Sequence, residues 1–567
     1  MNALSRPALE RGIFYLLLLA AILPVWSGRF FVTGDGPCHV YNARILLDYM
    51  QGRHFGFYDP FYSLNTNFEP NWFGHLWLAF FQLFFAPETA EKMFLSGYVL
   101  MFGLGLRYLI RQINPGGAFL SAFGLLFAWH YLLQSGFYNY ACSIALFFWV
   151  CGFWAQYRHA MTPLRGLAWA LLWLALYSAH PMGLVFAGLF VGCNILWEGL
   201  LHMRKPGWKT GVQYLWRQTQ TAFLPALPML VMFAEYIYRK PWPTGANTES
   251  MGDVWYQFYN LTMLITIRNS ERDTVHAIGY ILIALALGAI VLHFRRHPTP
   301  SPNDPNDPND PNDPNAAPNP HFLLFFTALA LWQYFRQAGA QSLELMMPLR
   351  VQLFPWLGLL LWVSGAKFPQ WARQLTLALS LTAMIVLLTH RMPAHRKASD
   401  LVEDYLTCLP HIADSSVILV LNYDFNGRYF DGKDVSNRNW LFIHAADYIG
   451  AYRTAIMSDN YEALRYYFPF IWRWDRDMFR ITDKEGMNFD NRPPRADFIN
   501  FKHRSGGYDL HYVLLLNYDE RHYDHQYARE IRGQLEAGYE HVFFSPGGKA
   551  ELWRLKDAER PTQTSNY

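Results

Sequence analysis

Residues His276–Phe294 read HAIGYILIALALGAIVLHF, a run without aspartate, glutamate, lysine or arginine. A helix rises about 1.5 Å per residue, so this run is long enough to cross a hydrocarbon layer about 30 Å thick. In lipid each such segment must satisfy its own backbone donors and acceptors, which makes it a helix. Further apolar runs start near Ile13, Phe94, Ala118, Tyr138, Gly166, Met182, Thr221, His321, Pro348 and Gln370. The expectation is a polytopic α-helical membrane domain over residues 1–390 with about eleven transmembrane helices. Composition agrees: 52% of residues are hydrophobic, 17% aromatic and only 16% charged. The near-zero mean hydropathy averages this apolar part against a polar last third.

Outside the spans the chain changes character. Residues 301–320, SPNDPNDPNDPNDPNAAPNP, repeat proline every third position and read as a linker in a cytoplasmic loop, neither helix nor strand. From residue 391 to 567 short β-rich runs, SSVILVLNYD, ADFINF and HYVLLLNYD, alternate with helical stretches such as HQYAREIRGQLEAG, predicting a soluble α/β domain. Two of these strands end in the same four residues, Leu421–Asp424 and Leu516–Asp519, at the strand ends where open α/β sheets often bind ligands; a chance echo at two turns is the simpler reading.

Orientation follows the positive residues. A cytoplasmic N-terminus, and a stretch from Trp72 to Phe85 that lies along the outer surface, put Arg107, Arg111, Arg158, Arg165, Arg204, Lys205, Lys209, Arg217, Arg295, Arg296, Lys367 and Arg373 on the inner side. Arg6 and Arg11 before the run from Ile13 to Trp26, with no small-residue cleavage site, read as an uncleaved first helix. The C-terminal domain is then periplasmic or extracellular, and the plasma (inner) membrane is the expected location. The net charge of +3, without a basic block clear of the membrane, gives no footprint for a nucleic-acid partner. The five cysteines, Cys38, Cys142, Cys151, Cys193 and Cys408, show neither metal-type spacing nor a disulfide framework.

The first outer loop, residues 28–91, holds the residues with chemistry. In GDGPCHVYNARILLDYMQG, Pro37 opens an amphipathic interfacial helix, which places Asp35 at its N-terminus. The plain structural role for Asp35 is an N-cap accepting a backbone donor. His39 lies four residues on. Glu69, Asn71 and His75, in NFEPNWFGH, precede and open a second surface helix. Together with Asp35 and His39 they leave a divalent metal open as a cofactor, although their spacing assigns no metal ligand set and ordinary capped interfacial helices are the simpler account.

This layout resembles the GT-C superfamily of membrane glycosyltransferases, in the branch of protein O-mannosyltransferases and lipid A aminoarabinose transferases. The resemblance rests on a short inner N-terminus, one span, an outer loop that opens with an acidic residue and carries two surface helices, and a following span ending in Arg107 and Arg111. It covers residues 1–200 best. It implies that Asp35 is the catalytic general base or helps bind a metal, and that His180 in SAHPMG and Arg350 in MMPLRVQLFP bind the donor phosphate, all three in one lipid-accessible hollow. Asn139, in SGFYNYACS, stands nearest the family's second-loop acidic position, and Gly36 replaces the second acidic residue often found after the first. The implied function is transfer of a sugar from a polyprenyl-phosphate-linked donor to a glycan, lipid or protein acceptor on the outer face. A transporter or flippase of lipid-linked material, or a non-catalytic assembly protein of the same architecture, are the competing readings. Nothing in the residues sets the sugar, the stereochemical outcome or the oligomeric state.

Overall fold

The computed structural model describes residues 6–204, 207–240, 249–294, 318–339, 346–484 and 493–556. Seven helices among them are long and apolar enough to cross a membrane, and eight if one bent pair forms a single span; the chain is a helical, multi-pass membrane protein. The repeat of residues 301–320 lies almost wholly outside the described residues.

The chain forms two compact units. The first comprises Met1–Leu23, Gly97–Leu132 and Asn139–His390. Its apolar helices include Arg6–Ile22, Pro181–Arg204, Arg272–Phe294 and Met347–Ser364, packed through rings such as Phe186 and Phe354, stacked at 3.8 Å. The run expected to start near Ala118 is not one helix. It breaks into Leu120–Gly124, a 3-10 turn at Leu125–Phe127, and Tyr131–Gln134. The Ala128 carbonyl, which a continuing helix would use, instead accepts from the Tyr98 hydroxyl at 2.7 Å. The span expected near Thr221 is also interrupted. Helices Trp208–Phe223 and Leu227–Arg239 meet at 74°, with Pro225, which lacks a backbone donor, in the break.

The second unit comprises Pro24–Ser96, Leu133–Tyr138 and Arg391–Tyr567, so the loop of residues 28–91 groups with the C-terminal domain rather than with the apolar helices that flank it in sequence. Both expected loop helices form, at Gly36–Met50 and Phe73–Gln82. The second has ten residues, about 15 Å, half the thickness a span needs. Strand β1 (Tyr62–Leu64) of the loop pairs antiparallel with β4 (Phe470–Trp472), which lies within the aromatic stretch YYFPFIWRWDRDMF.

The remaining strands are β2 (Ser416–Asn422), β3 (Ala455–Met457), β5 (Tyr512–Leu516), β6 (Tyr539–Phe544) and β7 (Ala550–Leu555). They make one mixed sheet, β3-β2-β5-β7-β6, in which β2 is parallel to β3 and β5 while β7 is antiparallel to β5 and β6. Residues 417–421 and 512–516 are almost wholly apolar because the strands are buried on both faces. ADFINF is not a strand: the Phe498 backbone donates to the Gln534 side chain and the Asp497 backbone to Thr482, so neither is available to a sheet. The repeated Leu-Asn-Tyr-Asp ends fall on neighbouring strands, with Asn422 opposite Leu516. Their aspartates converge on one cation, Arg521, 2.8 Å from Asp519 and 3.4 Å from Asp424.

Candidate functional site

Asp35 occupies the N-cap position of helix Gly36–Met50, but its side chain makes no capping hydrogen bond. The Gly36 amide is taken instead by Thr33 Oγ1 at 3.1 Å. The capping role expected for the Asp35 carboxylate is therefore filled by a neighbour. Its backbone is fixed against the turn at residues 134–136: the Asp35 amide donates to the Ser135 carbonyl at 2.9 Å, and the Gly34 amide to Gln134 at 3.2 Å. Gly136 has φ +96°, and a Cβ there would come within 3.0 Å of the Asp35 backbone. A Cβ on Gly36 would likewise collide with Thr33, Tyr138 and Glu91. The glycine after Asp35, where the resemblance leads one to expect a second acid, is thus enforced by packing.

The Asp35 carboxylate is 14% exposed and faces His444, with Oδ1 at 3.7 Å from Nε2. The His444 ring stacks on Tyr461 at 4.6 Å. Burial pushes the imidazole down to about 4, so His444 is neutral at pH 7 and does not hold Asp35 in an ion pair. The unfolded chain protonates this histidine near 6.5 and the folded chain near 4. Between those values the unfolded state binds more protons, so stability rises with pH and falls on acidification. The loss from pH 7 to pH 4 should reach about 3 kcal/mol, and thermal unfolding should show His444→Gln losing less over the same interval.

Beside Asp35 lies a second buried network. The Thr33 and Tyr138 hydroxyls meet at 2.8 Å, Tyr138 donates to Glu91 Oε1 at 2.5 Å, and Tyr448 donates to the other Glu91 oxygen. Glu91 is fully buried, and two hydroxyl donors satisfy it there. Asp447, also fully buried, lies 4.0 Å from His444 Nδ1; burial and Asp459 push its carboxyl well above the usual range.

His39 and His75 come together, as the loop's composition allowed, but around a residue the sequence did not point to: Glu462, in the 3-10 turn Tyr461–Leu464. His75 Nε2 is 2.8 Å from Glu462 Oε2, and His39 Nδ1 contacts Glu462 Oε1. Burial favours the protonated acid, yet His75 and His39 hold Glu462 down to about 2. Burial also opposes charge on His39, which Glu462 outweighs, raising the imidazole above its ordinary value. Neither Asp35 nor Glu69 belongs to this group. Glu69 is buried, and Asn71, with φ +75°, contributes its carbonyl to His75 Nδ1 at 3.0 Å.

The expected phosphate-binding pair lies in the other unit. Arg350 Nη1 donates to His180 Nε2 at 2.8 Å, with both residues buried. The Tyr140 hydroxyl donates to the Arg350 carbonyl at 2.7 Å and its ring meets His180 edge-on at 5.5 Å. Lys240, also buried, is close enough for its charge to act on both. Asn139 is buried at the start of helix Tyr138–Tyr157. Among known proteins, neither a family model nor a curated sequence matches this chain.

Proposed function

We propose that this chain is a membrane glycosyltransferase. It would take a sugar from a polyprenyl-phosphate-linked donor and attach it to a glycan, lipid or protein acceptor on the outer face of the plasma membrane. The observation that carries this reading is the setting of Asp35: a partly exposed carboxylate, backbone-locked at a helix start, not used as a cap and faced by a neutral imidazole. Such a group can accept the proton of an attacking hydroxyl. The buried Arg350–His180 pair, with Lys240 nearby, has the chemistry to take the negative charge of a departing polyprenyl phosphate. Each assignment rests on the residue's own surroundings. The basic connections from Arg107 to Arg373 support the orientation.

The transporter reading asks for ionisable groups along the middle of the spans. Glu198, in the last two turns of helix Pro181–Arg204, is instead paired with Arg158 at 3.2 Å. The test is to incubate membranes carrying the chain with radiolabelled polyprenyl-phosphate sugars. The proposal expects label in an acceptor fraction, with free polyprenyl phosphate released; intact donor moved between leaflets without chemistry would instead indicate a flippase. In that assay Arg350→Ala should raise KM for the donor about tenfold to a hundredfold, the loss expected when a charged hydrogen-bond donor is removed, with a smaller change in kcat.

A further inference from the structure

We propose that His39, His75 and Glu462 form a binding site for a divalent transition-metal cation of the zinc type, tying the first outer loop to the C-terminal segment within one unit. The three side chains come from helix Gly36–Met50, helix Phe73–Gln82 and the turn Tyr461–Leu464, and all are buried. Their ligand atoms lie within 4.8 Å of one another.

The direction of each imidazole is settled by its far side. His39 Nε2 is 2.8 Å from the Gly136 carbonyl, and His75 Nδ1 is 3.0 Å from the Asn71 carbonyl. A carbonyl oxygen only accepts, so these outer nitrogens carry the protons. Metal-binding histidines are commonly held by such an outer hydrogen bond. The inner nitrogens of neutral rings therefore turn lone pairs toward a carboxylate that also has only lone pairs. His39 Nδ1 and Glu462 Oε1 are pressed together in a fully buried contact. A positive charge must stand between these atoms, either a proton on a ring or a bound cation; one cation serves all three groups, whereas protons would have to be supplied to each ring.

Two imidazole nitrogens and one carboxylate oxygen suit zinc and its neighbours in the first transition row, and are wrong for calcium or magnesium, which take oxygen ligands. Ligands of one tetrahedral zinc stand roughly 3.3 Å apart, so His75 and Glu462, 2.8 Å apart, must open slightly and the closer His39–Glu462 contact further to admit the ion. Burial of all three ligands gives the ion a structural role, independent of whether the chain transfers sugar.

The experiment is metal analysis of the purified full-length chain in detergent after zinc loading and removal of free ion. One equivalent of zinc per chain is expected. Cobalt should replace it with a visible d–d absorption band, and a strong chelator should lower the thermal unfolding temperature until zinc is restored. His75→Ala and the near-isosteric Glu462→Gln should each lose the bound equivalent and the cobalt band, while His541→Ala, outside the cluster, keeps both. If neither cluster variant folds, the cobalt band and the chelator response of the native chain decide. Well under one equivalent in the native chain without a cobalt band, or full metal retention in a folded His75→Ala or Glu462→Gln protein, would overturn the proposal in favour of a proton-bridged triad.

Discussion

Replacing Gly136 by alanine is expected to cost about 2–6 kcal/mol of stability and to abolish any activity that depends on Asp35. Two penalties combine. The backbone at φ +96° strains any residue with a Cβ, and that Cβ would come within 3.0 Å of Asp35 N, Cα and Cβ. Relief requires residues 34–35 and 134–136 to separate, breaking the hydrogen bonds donated by the Gly34 and Asp35 amides and shifting the carbonyl that anchors His39. Thermal unfolding in detergent checks the effect. Gly533→Ala is the matching control: this glycine lies inside helix Gln526–Gly538 with open space where a Cβ would go. There alanine should stabilise by about 0.5–1 kcal/mol, opposite in sign. Equal behaviour of the two variants would mean that the close packing around Asp35 does not hold.

The membrane character was legible in the sequence because lipid imposes a requirement that extends over about 20 residues, and runs such as 276–294 meet it without help from the rest of the chain. The helix beginning at Pro37 and the strands in SSVILVLNYD and HYVLLLNYD were readable for the same reason: periodicity and proline act locally. Residues 118–134 were misread because apolar content cannot show that the Tyr98 hydroxyl takes the Ala128 carbonyl. The β6–β7 hairpin escaped notice because Glu540, His541, Glu551 and Arg554 interrupt its apolar pattern.

The candidate site divides in the same way. His39 and His75 stood out by their place in the loop of residues 28–91, and His180 and Arg350 only through the family resemblance. Glu462 did not, since it reaches His75 across 387 positions through the folding of the whole unit. His444 and Glu91 were missed for the same reason. The glycines around Asp35 offered one local signal, a carboxylate flanked by residues without side chains, and the collisions a Cβ would meet at Gly36 explain it.

Asp35→Asn is the substitution with the largest expected effect on chemistry. Asparagine keeps the size of aspartate and its place beside His444 but cannot take a proton from a hydroxyl. Loss of a general base typically costs about 10²–10⁴ in rate, so kcat should fall by that factor while KM for the donor stays within about threefold. The thermal unfolding temperature of the variant, measured alongside, separates loss of the base from loss of the fold. The decisive measurement is the rate at which radiolabelled sugar leaves polyprenyl phosphate, at saturating donor, in matched membranes carrying the native chain or Asp35→Asn. The account predicts equal amounts of transferred label and freed polyprenyl phosphate with the native chain, and both reduced at least a hundredfold in the variant. Equal rates in the two, or no consumption of any such donor by the native chain, would contradict it.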